Sequence, residues 1–227
     1  MPLVAHRPPD GIAERRLALV ATDPALAALA DGLRRQGFAV AAAVAEPSYD
    51  AAFDAATSAI GSVDTVVWAA TEPDLAKPAP IADIDESRWS DLVGGSLQRY
   101  VEFLQAAERR LRGRDGRVVV VVPTVGLAGA PGLVAWATVA ETQRSLAKSA
   151  ARVWGAHGIT VNCVAVPPSL LAGDSSDLAR ADLQPAALPD PVLGQDAAGV
   201  IASLCGSAMA AVTGTTVAVD GGRWMPA

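Results

Sequence analysis

Five consecutive valines, Val118–Val122, lie between Arg117 and Pro123, and they constrain the fold more than any other feature of the chain. A β-branched run of this kind follows neither the helical nor the alternating period. It suits an interior strand covered on both faces, as in a parallel sheet. Parallel neighbours need long crossovers, usually helices, and the flanking sequence supplies them. Asp85 is placed to cap a helix predicted over Glu86–Arg112, whose apolar residues Trp89, Leu92, Val93, Leu97, Val101, Leu104 and Leu111 fall largely at three- and four-residue spacing. Leu133–Ala156 predicts a second long helix. Gly94-Gly95 inside the first costs about 1 kcal/mol each relative to alanine, which points to close packing against another backbone.

The alternation runs through the whole chain. Leu17–Ala21 reads as a strand, and Asp23 and Pro24 suit the N-cap and first position of a helix ending at Gln36, with Gly37 as its C′ residue. Phe38–Ala45 reads as strand, Ala51–Ile60 as helix and Thr65–Ala70 as strand. After the second long helix come a strand at Ile159–Val166, a helix at Asp196–Cys205 and a last strand at Thr215–Val219. Strands alternating with helices, joined by right-handed crossovers, give an α/β fold with a doubly wound, Rossmann-like parallel sheet. Residues 1–15 read as an N-terminal tail and 16–227 as a single domain, with Ser169–Pro191 as its one long irregular stretch.

A formal charge of −6 without a basic block argues against nucleic acid and anionic membranes. The cationic stretch Arg109–Arg117 reads as a solvated helix end. Met1–Arg16 has no apolar h-region, and no apolar run approaches the ~18 residues of a membrane span. The expectation is a soluble, cytoplasmic protein. Cys163 and Cys205 are embedded in apolar runs and read as buried free thiols, and His6 and His157 have no ligand-like spacing, so no metal site is expected.

Several segments together resemble the short-chain dehydrogenase/reductase (SDR) family. They are Ser87-Arg88-Trp89 with the helix after it, Gly158-Ile159-Thr160-Val161-Asn162 running to Pro167, Thr213-Gly214, and Val219-Asp220-Gly221-Gly222. The resemblance implies the Rossmann fold, an NAD or NADP cofactor, and a Ser-Tyr-Lys set assisted by an Asn. At the matching positions stand Pro123 for Ser, Trp136 for Tyr, Ala140 for Lys and Ser96 for Asn. An indole N–H donates a hydrogen bond but does not titrate near neutrality, whereas the implied chemistry is general acid–base catalysis. Thr124 would need a one-residue register change to replace the Ser. Neither Tyr49 nor Tyr100 is followed four residues later by Lys, and Lys148 belongs with Arg144 and Arg152 to a stripe read as a solvated or interface helix face.

Other departures concern the cofactor. The glycine-rich turn expected after the first strand, which lets backbone approach pyrophosphate, is replaced by Ala21-Thr22-Asp23-Pro24-Ala25-Leu26. Glu46–Asp64 holds one helix where the family has a helix, a strand and a helix, so the sheet is expected to be shortened. Trp68-Ala69-Ala70-Thr71 replaces Asn-Asn-Ala-Gly, with Trp68 expected to fill the cofactor cleft. Pro167-Pro168 replaces Pro-Gly, and Asp174, Asp177 and Asp182 read as solubilising charges in the segment that follows.

The expectation for function is a catalytically inactive SDR-like subunit with no catalytic, cofactor-binding or metal-binding residues and no cofactor of its own. It would assemble with an active SDR subunit or with itself through helices 86–112 and 133–156 and the C-terminal strand and tail, Thr215–Ala227. Two alternatives stay open. One is an NAD- or NADP-dependent SDR oxidoreductase using partner or atypical residues. The other is a non-catalytic ligand-binding or regulatory module, with Trp68 and Trp136 lining its pocket.

Overall fold

The valine run forms an inner strand of a six-stranded, fully parallel sheet. The computed structural model describes residues 15–21, 25–43, 48–173, 178 and 185–225. In chain order the strands are β1 (Arg16–Ala21), β2 (Ala39–Ala42), β3 (Thr65–Ala69), β4 (Arg117–Pro123), β5 (Thr160–Val166) and β6 (Thr216–Ala218), arranged β2-β1-β3-β4-β5-β6. The principal helices are α1 (Ala25–Arg35), α2 (Tyr49–Ile60), α3 (Glu86–Trp89), α4 (Gly95–Leu111), α5 (Val125–Ala128), α6 (Val134–Trp154), α7 (Ser169–Ala172) and α8 (Ala198–Cys205). One face of the sheet carries α1 and α8 and the other α2, α4 and α6, each over its own apolar cluster. Alternate strand residues divide between them: Val119 and Val121 belong to the first cluster, Val118, Val120 and Val122 to the second. Every residue of β4 and β5 is buried. The doubly wound reading holds, and the shortening shows as β2 being the sheet edge.

Several local readings are corrected. The helix predicted over Glu86–Arg112 starts as expected, with the Asp85 carboxylate accepting from the Arg88 N–H at 2.8 Å. It is then broken by a π-helical turn, Ser90–Gly94, before α4 begins. Gly94 and Gly95 meet no neighbouring backbone within the protein; a Cβ at Gly94 would touch only Ser90 Oγ, at 3.7 Å. The backbone contact lies elsewhere, where Gly32 of α1 rests on Gly194 in the π-helical turn Leu193–Ala197. Strand β2 is shorter than Phe38–Ala45, and α6 stops at Trp154, with a 3-10 turn covering Gly155–His157. Residues 1–14, with His6, the cap residues Asp23 and Pro24, the aspartates 174, 177 and 182, and the terminal Pro226-Ala227 lie outside the described residues.

The arginine cluster 109–117 is not a loose solvated end. Arg109 pairs with Asp50, Arg110 with Asp54 and Arg112 with Glu108, which ties α4 to α2 and to its own last turns. Arg117 is 2% exposed at the start of β4. Its guanidinium donates to the Asp115 carboxylate at 2.8 Å and to the carbonyls of Asp115 and Gly116. Arg15 reaches the same carboxylate at 3.1 Å, so β1 and β4 are joined at their N-terminal ends. At the far side Asn162 of β5 donates to the Val212 carbonyl and accepts from the Thr215 N–H, fixing the approach to β6.

Both cysteines are buried, Cys163 in β5 and Cys205 at the end of α8. Burial pushes each thiol up to about 12. The thiolate is the reactive form, so it is scarce at neutral pH. Iodoacetamide is therefore expected to label neither site in the folded protein and both after denaturation. Mass spectrometry reads this directly, and rapid labelling of the native protein would contradict the burial.

Candidate functional site

In an open α/β sheet a ligand crevice forms at the carboxyl ends of the strands, where successive connections leave in opposite directions. Here that point lies between β1 and β3, because β2 is on one side of β1 and β3 on the other. The C-terminal ends of β3, β4 and β5, with the first turns of α6, border this crevice.

Pro123 ends β4 beside Val166 of β5. It has no N–H to donate, and the next residue restores the ladder: Thr124 N–H donates to the Val166 carbonyl at 2.8 Å. One turn of α5 and a short loop then lead into α6. Trp136, in the first turn of α6, is 1% exposed and belongs to the apolar cluster over α1 and α8. Ala140, one turn on, is equally buried, and a Cβ on Gly126 would stand 2.9 Å from its Cβ. Both side chains therefore pack, and the turn between α5 and α6 is built close around them. Ser96, 5% exposed on α4, faces a small cavity with Trp136. Of the four positions, Ser96 and Trp136 face the same cavity, and Pro123, Trp136 and Ala140 bring no titratable group.

Trp68 does not fill the crevice, because the alternation of β3 turns it toward α2 and α4. Its ring lies 4.9 Å from Phe103, 5.3 Å from Tyr100 and 6.0 Å from Tyr49, in tilted and edge-on contacts. Such pairs contribute about 0.5–1.5 kcal/mol beyond their area. Tyr100 is fully buried and donates to the Gln143 carbonyl at 3.2 Å, and burial raises its pKa well above the usual value. Burial likewise pushes Tyr49 up to about 12, against the opposing effect of Arg99. Neither tyrosine stands beside a lysine.

The cavity beside Ser96 measures about 10 Å³ and is lined also by Trp68, Thr71, Glu72, Arg99 and Gln143. Arg99 and Glu72 form an ion pair at 2.9 Å on its outer side. Glu72, Arg99 and Gln143 carried no sequence signal: they come from a loop and two helices, and only the fold assembles them. Arg144 of the α6 stripe is partly covered, pairing with Glu141 and donating to Thr216 Oγ1 at 3.2 Å, while Lys148 and Arg152 are exposed. Among the described residues no group of three or more His, Cys, Asp or Glu is placed to hold a metal, and no helix is long and apolar enough to cross a membrane.

A nicotinamide dinucleotide is the cofactor that the resemblance implies. Only three residues connect β1 to α1, with no glycine from Ala21 to Leu26, and the first glycine of α1, Gly32, is closed against Gly194. At the place of the ribose-holding lysine stands a buried alanine. The described residues do not fit the family's way of holding that group.

The family model described as enoyl-(acyl carrier protein) reductase matches residues 15–223. The 3-oxoacyl-(acyl carrier protein) reductase FabG of Staphylococcus aureus is 30% identical over 195 residues, covering 83% of this chain and 77% of the relative. Its counterpart in Escherichia coli is 28% identical over 206 residues, covering 87% and 82%. Among solved structures, a dehydrogenase/reductase from Sinorhizobium meliloti superposes with a TM-score of 0.76 at 21% identity, over 95% of this chain and 97% of that one. These findings overturn the expectation of a catalytically inactive subunit serving an active SDR. That expectation rested on Pro123, Trp136 and Ala140 standing where the family has Ser, Tyr and Lys and on the missing glycine-rich turn, whereas the relatives matching most of the chain are named as reductases.

Proposed function

Starting from a chain that belongs to the short-chain dehydrogenase/reductase family, we propose that it is itself a cytoplasmic oxidoreductase interconverting a carbonyl and an alcohol, with NADH or NADPH as the redox partner. The observation that carries this reading is the length of the match to relatives named as 3-oxoacyl reductases. Their substrate class, a 3-oxoacyl thioester, is the first to try. The catalytic set is atypical: Pro123, Trp136 and Ala140 supply no acid or base, and Ser96 is the one hydroxyl among the four positions. The proton donor and the grip on the dinucleotide are then other residues of this chain or residues of a neighbouring copy.

Self-association is part of the proposal. The exposed Gly94 leaves room for another backbone beside α4, and Leu188 and Met225 are exposed apolar side chains, Leu188 bonded through its N–H to the Gly221 carbonyl after β6. These features support contacts through α4, α6 and the segment after β6.

The test is a turnover assay of the purified full-length chain with acetoacetyl thioesters and either nicotinamide cofactor, with light scattering run in parallel. Cofactor-dependent reduction is expected, at a rate per subunit that rises with protein concentration if a second copy completes the site. Absence of turnover with both cofactors across acyl and simple ketone substrates would overturn the reading. A mass of 23.1 kDa at all concentrations would remove the self-association.

A further inference from the structure

The cavity between β3, α4 and α6 combines three features. It has room for one water molecule, since a polar cavity of about 10 Å³ is at the lower limit for holding one. Two polar atoms on its lining, Trp68 Nε1 and Ser96 Oγ, are buried with no hydrogen-bond partner in the protein. Their side chains come from separate elements and are 3% and 5% exposed. Unpaired buried donors are rare because desolvation is not repaid, and an ordered water is the common remedy. The indole N–H can only donate, whereas the serine hydroxyl can donate or accept. A water oxygen accepting from Trp68 Nε1 still has donors and a lone pair for Ser96. The side of the cavity toward solvent is formed by Glu72 and Arg99, paired at 2.9 Å and each close to half exposed.

We propose that this cavity is a binding site for a single internal water, held by the Trp68 indole N–H and the Ser96 hydroxyl and closed from bulk solvent by the Glu72–Arg99 ion pair. The site joins β3 to α4 through solvent at a point where no direct polar contact joins Trp68 to Ser96. It stands apart from the oxidoreductase reading and holds whether or not the chain reduces a carbonyl.

A double-mutant cycle tests the sharing. Trp68→Phe removes the N–H and Ser96→Ala the hydroxyl, and unfolding equilibria are measured for both single variants and the pair. Each single change strands one end of the bridge and the second then costs less, so the double variant is expected to be more stable than additivity allows. A coupling of at least about three-fold in the unfolding constant is expected for residues that share a partner. Packing losses at Trp68 cancel in the cycle. Additive losses would overturn the proposal.

Water-oxygen magnetic relaxation of the folded protein gives a second readout that does not depend on unfolding equilibria. Ser96→Ala is expected to hold one long-lived water fewer than the wild type, and an equal number in the two proteins would overturn the site. Glu72→Gln weakens the closing pair, which as an exposed pair contributes little to stability. It should shorten the water's residence while leaving the unfolding midpoint nearly unchanged. An unchanged residence time would remove the ion pair from its closing role.

Discussion

Gly32→Ala is expected to destabilise the protein by about 3 kcal/mol or more, although alanine is the better helix former by about 1 kcal/mol. A Cβ at Gly32 would stand 2.7 Å from the carbonyl carbon of Gly194, with the carbonyl oxygen closer still, and 2.8 Å from the Cβ of Ala198. No flexible side chain can move aside there, so α1 must part from the π-helical turn ahead of α8. Overpacking of this kind typically costs about 1–3 kcal/mol and more where backbone must shift. Gly194→Ala meets the same obstacle from the other side, against the carbonyl of Ala28. Gly155→Ala is the control: its Cβ would meet nothing within 4 Å and its φ of −53° is ordinary. That change is expected to be neutral or to stabilise by up to about 1 kcal/mol. Denaturant midpoints separate the three, and a Gly32→Ala protein as stable as wild type would show that the two backbones are not in contact.

Asp115→Asn is expected to cost about 2–3 kcal/mol at neutral pH. It removes the one carboxylate that faces the buried Arg117 guanidinium at 2.8 Å and also receives Arg15. Asparagine keeps the size of the side chain and tolerates the left-handed φ of 51° found there, so the change isolates the charge. Breaking a fully buried pair costs about 3–5 kcal/mol, but the carboxylate is 71% exposed and its loss is partly screened. Desolvation pushes the Asp115 carboxyl upward, and the hydrogen bond and charge of Arg117, with the charge of Arg15, more than offset it, so the net shift is downward. A folded-state pKa below the unfolded one means stability that is fully present above the ordinary aspartate pKa of about 3.9. That stability is lost as pH falls through the lower, folded value. The wild type should therefore lose part of its advantage over Asp115→Asn between pH 4 and more acidic conditions, roughly the range of that shift. An equal gap at all pH values would show that the carboxylate is not what stabilises the site.

Legibility in the sequence followed the physics that is local. Val118–Val122, the Asp85 cap and the positive-φ Gly37 each express a rule acting over a few residues, and the strand, the helix start and the helix-ending glycine stand where those rules place them. Arg117 was misread because it sits in a run of arginines, while its burial depends on Asp115 turning back toward β4. The glycines show a similar limit. Propensity marks Gly94 and Gly32 alike as poor helix residues, and only the packing of α1 on Leu193–Ala197 shows which one a neighbour requires. At the site, the positions Pro123, Trp136, Ala140 and Ser96 were legible because their spacing follows a family pattern. The cavity beside them was not, since Glu72, Arg99 and Gln143 converge from segments distant in sequence. Function was not legible from these positions, since residues absent from one pattern say less than the length over which the chain matches proteins named as reductases.

The shortened sheet has a consequence for how molecules of this protein meet one another in a crowded solution. With one strand fewer on that side, β2 forms the border of the sheet with only four residues, and β6 forms the other with three. A border strand offers unpaired backbone groups to any passing chain, and a brief one offers few. The long, fully buried strands β4 and β5, which could template fibril-like stacking, are separated from both borders by at least one neighbour or capped by β6. Trimming the sheet has thus left a molecule poorly suited to edge-to-edge growth while native, and one whose hazard begins only when β6 peels away and uncovers β5.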